Sequence, residues 1–436
     1  MHAKLIFANI CCLSAFSMMF LIAQGNLTPP PGPPAPTMKT LAQIEPRVDI
    51  LTLAGDADSE HVLSNPGSYY LSGNLSVFKT DGLRVTAADV HIDLNGFQIV
   101  RGFGTGGGKA ISLEVGAGGF SAHSGSIRGF ADAIAPKSSP PTNLRVRDLT
   151  VSQCDNGISL GSYLSTMATR CSVYDIASRG IQAGIISECI AAECGGLALD
   201  ALIVSNSRGQ STGSSSGIDA FTVENSQGVS DSGAGLSVRI ARGSLGGSTS
   251  GTGIASRIAS GSQGSSSTGI GISTAVADGS EGTSVGDEGI DSRVAIGSVG
   301  FSTSDFGIDS RVTGFSTGNS STNTAIVSSV CVGSHGRSAS NDGIGGSVVG
   351  FSRGDSDDDG SGISQSEGIT FGSWGSASSN DASDAGIRNS FGVSAYSLAF
   401  ITGATVNAVR SEISVACEAN KSTATFDAPK KFLGTP

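Results

Sequence analysis

The chain has little charge and few aromatic rings: charged residues make up 14% and aromatic residues 6% of 436 positions, with a single tryptophan. Helix bundles draw heavily on Leu, Glu, Lys and Arg, so this composition argues against an all-α fold. Basic residues are fewer than acidic ones, 26 against 37, for a formal net charge of −11. A protein that grips nucleic acid by neutralising phosphates needs the opposite balance, so a nucleic-acid partner is excluded. Lysine is absent between Lys137 and Lys421, which leaves the middle of the chain without an amine base. The five histidines are scattered without metal-ligand spacing. What the chain has in excess is serine and glycine, with 63 glycines that lack the every-third-residue period of collagen.

Residues 1–25 read as a secretory signal peptide: Lys4 is basic, residues 5–23 are almost wholly apolar or small, and Ala23-Gln24-Gly25 offers small residues for cleavage. An uncleaved anchor is the rival reading, and it gives the only membrane contact expected of the chain. The implied location is secreted, extracellular or at the cell surface. Residues 26–59 follow as a Pro-rich stalk (PPPGPPAP, 29–36) and an N-terminal cap, with a short helix over 37–44.

From Ile218 the sequence repeats every 18 residues. One column reads Ile218, Leu236, Ile254, Ile272, Ile290, Ile308, Ile326 and Ile344. Four places on, Thr222 is followed by Ile240, Ile258, Val276, Val294, Val312, Val330 and Val348. Ser226 and Ser230 head two all-serine columns at offsets 8 and 12, and Gly228 heads an all-glycine column between them. A disordered Gly/Ser linker needs no such register, and fixed-period self-similarity is the signature of a solenoid. Within one repeat the spacing is two, which predicts strands with offsets 0, 2 and 4 inward on one wall and offsets 8, 10 and 12 inward on another. An aliphatic residue every six positions, which a left-handed hexapeptide helix requires, is missing. So is the nine-residue symmetry of a calcium β-roll. Parallel crossovers are overwhelmingly right-handed.

The fold class is therefore all-β, a right-handed parallel β-helix with an 18-residue coil in its Ser/Gly-rich half. Residues 60–217 are irregular coils, 218–361 regular coils, 362–415 the final coils and 416–436 a C-terminal tail. About 15–17 coils are expected over residues 60–415.

The segments TPPPGPPAPTMKTLAQIEPR, NPGSYYLSGNL and VHIDLNGFQI resemble the N-terminal part of exported bacterial right-handed parallel β-helix repeat proteins, pectin-lyase-like in fold. The resemblance covers about the first hundred residues. It implies export and a setting rich in polysaccharide, among adhesins and passive scaffolds as well as lyases and hydrolases, and so does not fix an activity.

Candidate chemistry is sparse. Asp355, Asp357 and Asp359 alternate ahead of Gly360, a pattern that can gather oxygen ligands around calcium, although the twelfth-position Glu of an EF-hand is replaced by Ser366. Outward positions of the Ile strand carry Arg239, Arg257, Arg293 and Arg311 in one column and Asp219, Asp291 and Asp309 in another. This is the candidate ligand face; the alternative is a solvated ladder in which Asp and Arg neutralise each other between coils. Five G-x-S-x-G matches in a Ser/Gly array carry no information without a strand-to-helix elbow. Cys171 and Cys189 are 18 apart and should stack, as a disulfide or as buried thiols.

No convergent acid/base cluster is visible. The sequence favours a non-catalytic secreted or cell-surface scaffold of adhesive type, with extracellular polysaccharide or the cell envelope as partner. The alternative is a polysaccharide-binding or polysaccharide-degrading protein. No cofactor is required beyond the candidate calcium.

Overall fold

A computed structural model describes residues 47–102, 107–378, 384–401, 407–419, 426–427 and 430–432. The signal-type segment and the Pro-rich stretch lie outside the described residues. Residues from Val48 onward form one unit, a parallel β-solenoid of about 19 turns. At about 4.8 Å per turn the stack is roughly 90 Å long. The turns extend beyond residues 60–415, since Val48–Asp49 already pairs with Gly67–Tyr70, and Phe426–Asp427 and Lys430–Phe432 still pair onto Asn407–Val415.

Early coils have three short strands each, as in Ser59–Leu63, Gly67–Tyr70 and Leu75–Val77. At Leu199–Ser205 the first two walls fuse: its ends pair separately with Ile181–Gln182 and Ile185–Ser187. From there to Arg353–Ser356 the coil is a seven-residue strand followed by a four-residue one, as in Ile218–Glu224 and Gln227–Ser230, except where Ile254–Ala255 and Ile258–Ser260 stay separate; the long strands then lengthen, as in Ile363–Phe371 and Ala385–Ala395. From Ile218 to Ile344 the register between coils is 18 residues without slip, Ile218 opposite Leu236 and Ile290 opposite Ile308, and beyond it the ladder shifts between Gly345 and Val348 as Ile344 pairs with Ile363.

The long strand bends at offset 3, where pairing skips from Ala220–Val238 to Thr222–Ile240. The bend overturns one expectation. Offset 4, the Ile/Val column, faces outward, with Ile258 and Val312 each 41% exposed. The inward place passes to offset 5, where Val223, Ala241, Ala259, Ala277, Ala295, Thr313, Cys331 and Val349 are fully buried. Two consecutive outward residues at the bend reset the period-two alternation. The β-branched residues at offset 4 still stack on one another along the ladder, which suits them to a pleated surface without burial.

The third wall is as expected. Ser at offset 8, Gly at offset 10 and Ser at offset 12 face inward. A Cβ added to Gly264 would meet the Gly271 carbonyl oxygen at 2.2 Å and Ile272 Cγ1 at 2.5 Å, so the walls touch there. The offset-12 hydroxyls fasten the turns: Ser230 donates to the Ser215 carbonyl (2.7 Å) and accepts from the Gly233 N–H (2.8 Å). The same pair of bonds recurs at Ser248, Ser266, Ser284, Ser302, Ser320 and Ser338. At offset 8 each serine accepts from the N–H of its counterpart one coil earlier, Ser226 to Ser244 and Ser244 to Ser262 (both 3.3 Å).

That wire begins in sulfur. Cys171 donates its N–H to Cys189 Sγ (3.4 Å), and Cys189 donates its N–H to Ser207. Both cysteines are buried free thiols, as are Cys154, Cys194, Cys331 and Cys417. Cys154 lies opposite Ile176 instead of stacking on Cys171.

Candidate functional site

The bend that turns offset 4 outward also separates the two charged columns. Arg239, Arg257, Arg293 and Arg311 stand exposed on the bend, while Asp219, Asp291 and Asp309 sit two residues earlier on the first wall. Among the described residues no ion pair joins one column to the other. The expected neutralisation between coils is replaced by a basic ridge and an acidic ridge. Burial pushes the carboxyls of Asp291 and Asp309 upward, and neighbouring carboxylates add to it: Asp287 for the first, Asp291 and Asp305 for the second.

Beside the basic ridge, Phe221, Arg239, Ile240, Arg257, Ile258, Ala275 and Val276 line a shallow trough of about 360 Å³. The Arg239 guanidinium lies 4.9 Å from the Phe221 ring centre. Here charge and apolar surface of the candidate face meet in a concavity.

The three aspartates read as a calcium turn do not converge. Asp355 accepts from His335 Nε2 and Arg353 Nε, each at 2.8 Å, through the same Oδ2. Burial opposes its charge, but His335 and Arg353 outweigh it and hold the carboxyl below its ordinary range. Asp357 pairs with Arg337 at 2.8 Å, and the Asp359 carbonyl accepts from Ser356. Carboxylates converge elsewhere: single oxygens of Asp287, Glu288 and Asp305 lie within 4.8 Å of one another. Glu288 is pushed up to about 7 by burial first and by Asp287 next. Reading along the chain misses this cluster because Asp287 and Asp305 are neighbours only through the coil. The signal was present in the column three places before the isoleucines, which reads Asp287, Asp305, Asn323, Asn341.

In the irregular coils, Lys109, Asp132, Asn156, Ser159 and Arg179 line a polar cleft of about 270 Å³ on the first wall. Lys109 is ion-paired with Asp132, which also accepts from Asn156 Nδ2 at 3.0 Å. Arg179 approaches Asp200 at 3.7 Å, and Asp200 accepts from Gln182 at 2.8 Å. Each charge here is held by its opposite, so the cleft offers hydrogen bonds more readily than a free base. No family model, no curated protein and no solved structure matches the chain.

Proposed function

We propose that the protein is an exported, non-catalytic rod of adhesive type, which presents repeated side chains to extracellular polysaccharide or to the cell envelope. The observation that carries this reading is the division of labour within the coil. The inward columns at offsets 0, 8, 10 and 12 are near-uniform through the array, turns are short, and the outward columns vary without building a walled cleft. Catalysis on a polysaccharide needs a positioned group of shifted pKa within reach of the sugar. Glu288, the group in the array nearest that condition, is half-buried and crowded by Asp287 and Asp305. The resemblance to exported pectin-lyase-like proteins supports the same setting.

A polysaccharide-active reading is favoured by one observation, the Lys109–Asp132–Asn156–Arg179 cleft. The two separate in one experiment. The chain from residue 26 on is incubated with a panel of acidic and neutral polysaccharides, with and without calcium, and both retention and released products are measured. The scaffold reading expects retention without products. Products that vanish in Lys109→Ala or Asp132→Ala variants establish the enzyme instead. The calcium arm tests the site read from the sequence at Asp355, Asp357 and Asp359: a melting temperature that calcium raises in the wild type but not in Asp357→Asn, Asp359→Asn would establish it, and no response would leave Asp355 and Asp357 as the ion-pair partners they are here.

A further inference from the structure

The corner between the second and third walls is left-handed coil after coil. Its φ is 48° at Asn206 and Asn225, and 54–57° at Gly243, Gly261, Gly279 and Gly297. Asparagine and glycine are the residues that tolerate this region. Other residues also occupy this corner, Arg170 at φ 50° and Glu188 at 55° in earlier coils and Ala416 at 49° in a late one, and three coils carry an aromatic ring there, Phe315 at 51°, Phe351 at 50° and Tyr396 at 49°. A bulky side chain there is a true outlier, and such outliers cluster at functional sites. Nor do the rings gain burial in return: they are 76%, 69% and 72% exposed.

Their placement is regular. Phe315 follows the strand Ile308–Gly314, Phe351 follows Ile344–Gly350 and Tyr396 follows Ala385–Ala395, which are alternate coils. The coils between them carry Gly333 and Gly372 at the corner, both left-handed. A Cβ on Gly333 would meet Phe315 Cδ1 and Cε1 at 2.8 Å, and one on Gly372 would meet the same atoms of Phe351 at 2.8 Å. Phe315 and Phe351 thus each cover the bare corner of the next coil, whereas the corner after Tyr396 carries Ala416, and all three rings remain largely exposed. Alternate coils place successive rings about 9.6 Å apart along a straight edge. On the adjoining wall stand Trp374, stacked on Phe400 at 4.4 Å, and the hydrogen-bonding groups of His335, Arg353 and Asp355.

We propose that the row Phe315, Phe351 and Tyr396 is a docking edge for an extended β-1,4-linked polysaccharide chain. The C–H face of a pyranose stacks on an aromatic ring. In a β-1,4-linked chain each sugar is turned half a revolution from the last, so the same face recurs at every second sugar, a step close to the two-coil repeat of about 9.6 Å. An α-linked chain coils and does not keep that step. Rings set on alternate coils, with only Phe371 edge-on to Phe351 at 5.3 Å, also offer far less continuous apolar surface than the roughly 800 Å² per partner of a stable protein interface. The inference names a ligand for the rod and rests on the passive reading only in expecting the ligand to stay intact.

The test titrates the chain from residue 26 on with cellohexaose, chitohexaose and maltohexaose, followed by calorimetry and by the fluorescence of the sole tryptophan, Trp374. The expected result is binding of a β-1,4-linked hexamer but not of maltohexaose, weakened at least tenfold in the triple variant Phe315→Gly, Phe351→Gly, Tyr396→Gly. Glycine is the residue this corner favours, so the triple variant should melt no lower than the wild type. The proposal is overturned by absence of binding to both β-1,4 hexamers, by equal binding of maltohexaose, or by unchanged binding in the triple variant. A lower melting temperature in that variant also overturns it, because the rings would then serve only to cover the next coil. Shortened hexamer in the same samples would remove the passive reading while leaving the docking edge in place.

Discussion

Gly264 and Gln263 are neighbours in sequence and opposites in environment, one buried between walls and the other exposed. A valine at 264 would drive its Cβ into the Gly271 carbonyl, a backbone group that cannot swing aside. Overpacking of this kind costs about 1–3 kcal/mol, so Gly264→Val should melt well below Gln263→Val in a circular-dichroism scan. Equal melting temperatures would remove offset 10 from the interior. Glu288 has the reverse problem, an interior-like penalty at a half-exposed position. Its folded pKa of about 7 lies above its ordinary 4.5, so between these values the folded state binds more protons than the unfolded chain. Stability therefore falls as pH rises through that window. The wild type should melt higher at pH 5 than at pH 8, and Glu288→Gln should shrink the difference. A melting temperature that rises from pH 5 to pH 8 and is indifferent to Glu288→Gln contradicts the crowding of carboxylates. Uniform columns made Gly264 legible in the sequence. The crowding at Glu288 was not, because it arises between residues 18 apart.

At the scale of the strand, period-two spacing identified the walls and the serine columns, and failed at one bend. Nothing in the string Ile-Asp-Ser-Arg-Val marks where alternation resets; the clue was the small residue at offset 5, which only the opposing wall explains. The same bend undid the expected cancellation of Asp by Arg, since it points the two columns to different faces. The serine wire is a further property of the strand rather than of any single residue. Ser298 accepts from the Ser280 N–H at 3.3 Å and donates to the Ile296 carbonyl at 3.0 Å, fully buried. Ser298→Ala leaves a buried N–H without its acceptor, a loss of about 1–3 kcal/mol. Ser298→Cys should lose less, because Cys171 and Cys189 already hold this column at the other end of the wire. Urea melts of the two variants check the order, and an alanine variant as stable as wild type argues that backbone pairing alone holds the wall.

For the whole stack, stability should be nearly a sum over coils and their contacts, because each coil touches chiefly the one before and the one after. Removing residues 254–271 joins Gly253 to Ile272 and sets Leu236 beneath Ile272, Gly246 beneath Gly282 and Ser244 beneath Ser280. The inward isoleucine, glycine and serine columns each find a residue of their own kind, and the rod loses one turn of about 4.8 Å. That variant should melt cooperatively within a few degrees of the full chain. Removing only residues 254–262 joins Gly253 to Gln263, so that the short strand follows directly on the turn that should lead into a long one. The first wall then lacks a strand for that coil, the isoleucine column loses a member, and inward glycines face outward positions. This shorter deletion should fold far less stably than the longer one, an inversion that no account based on the number of residues removed would produce. The longer deletion also lies well before Phe315, so it should leave cellohexaose binding unchanged while the basic ridge loses Arg257. A nine-residue deletion that melts as high as the eighteen-residue one would mean that column register is not what holds the solenoid together.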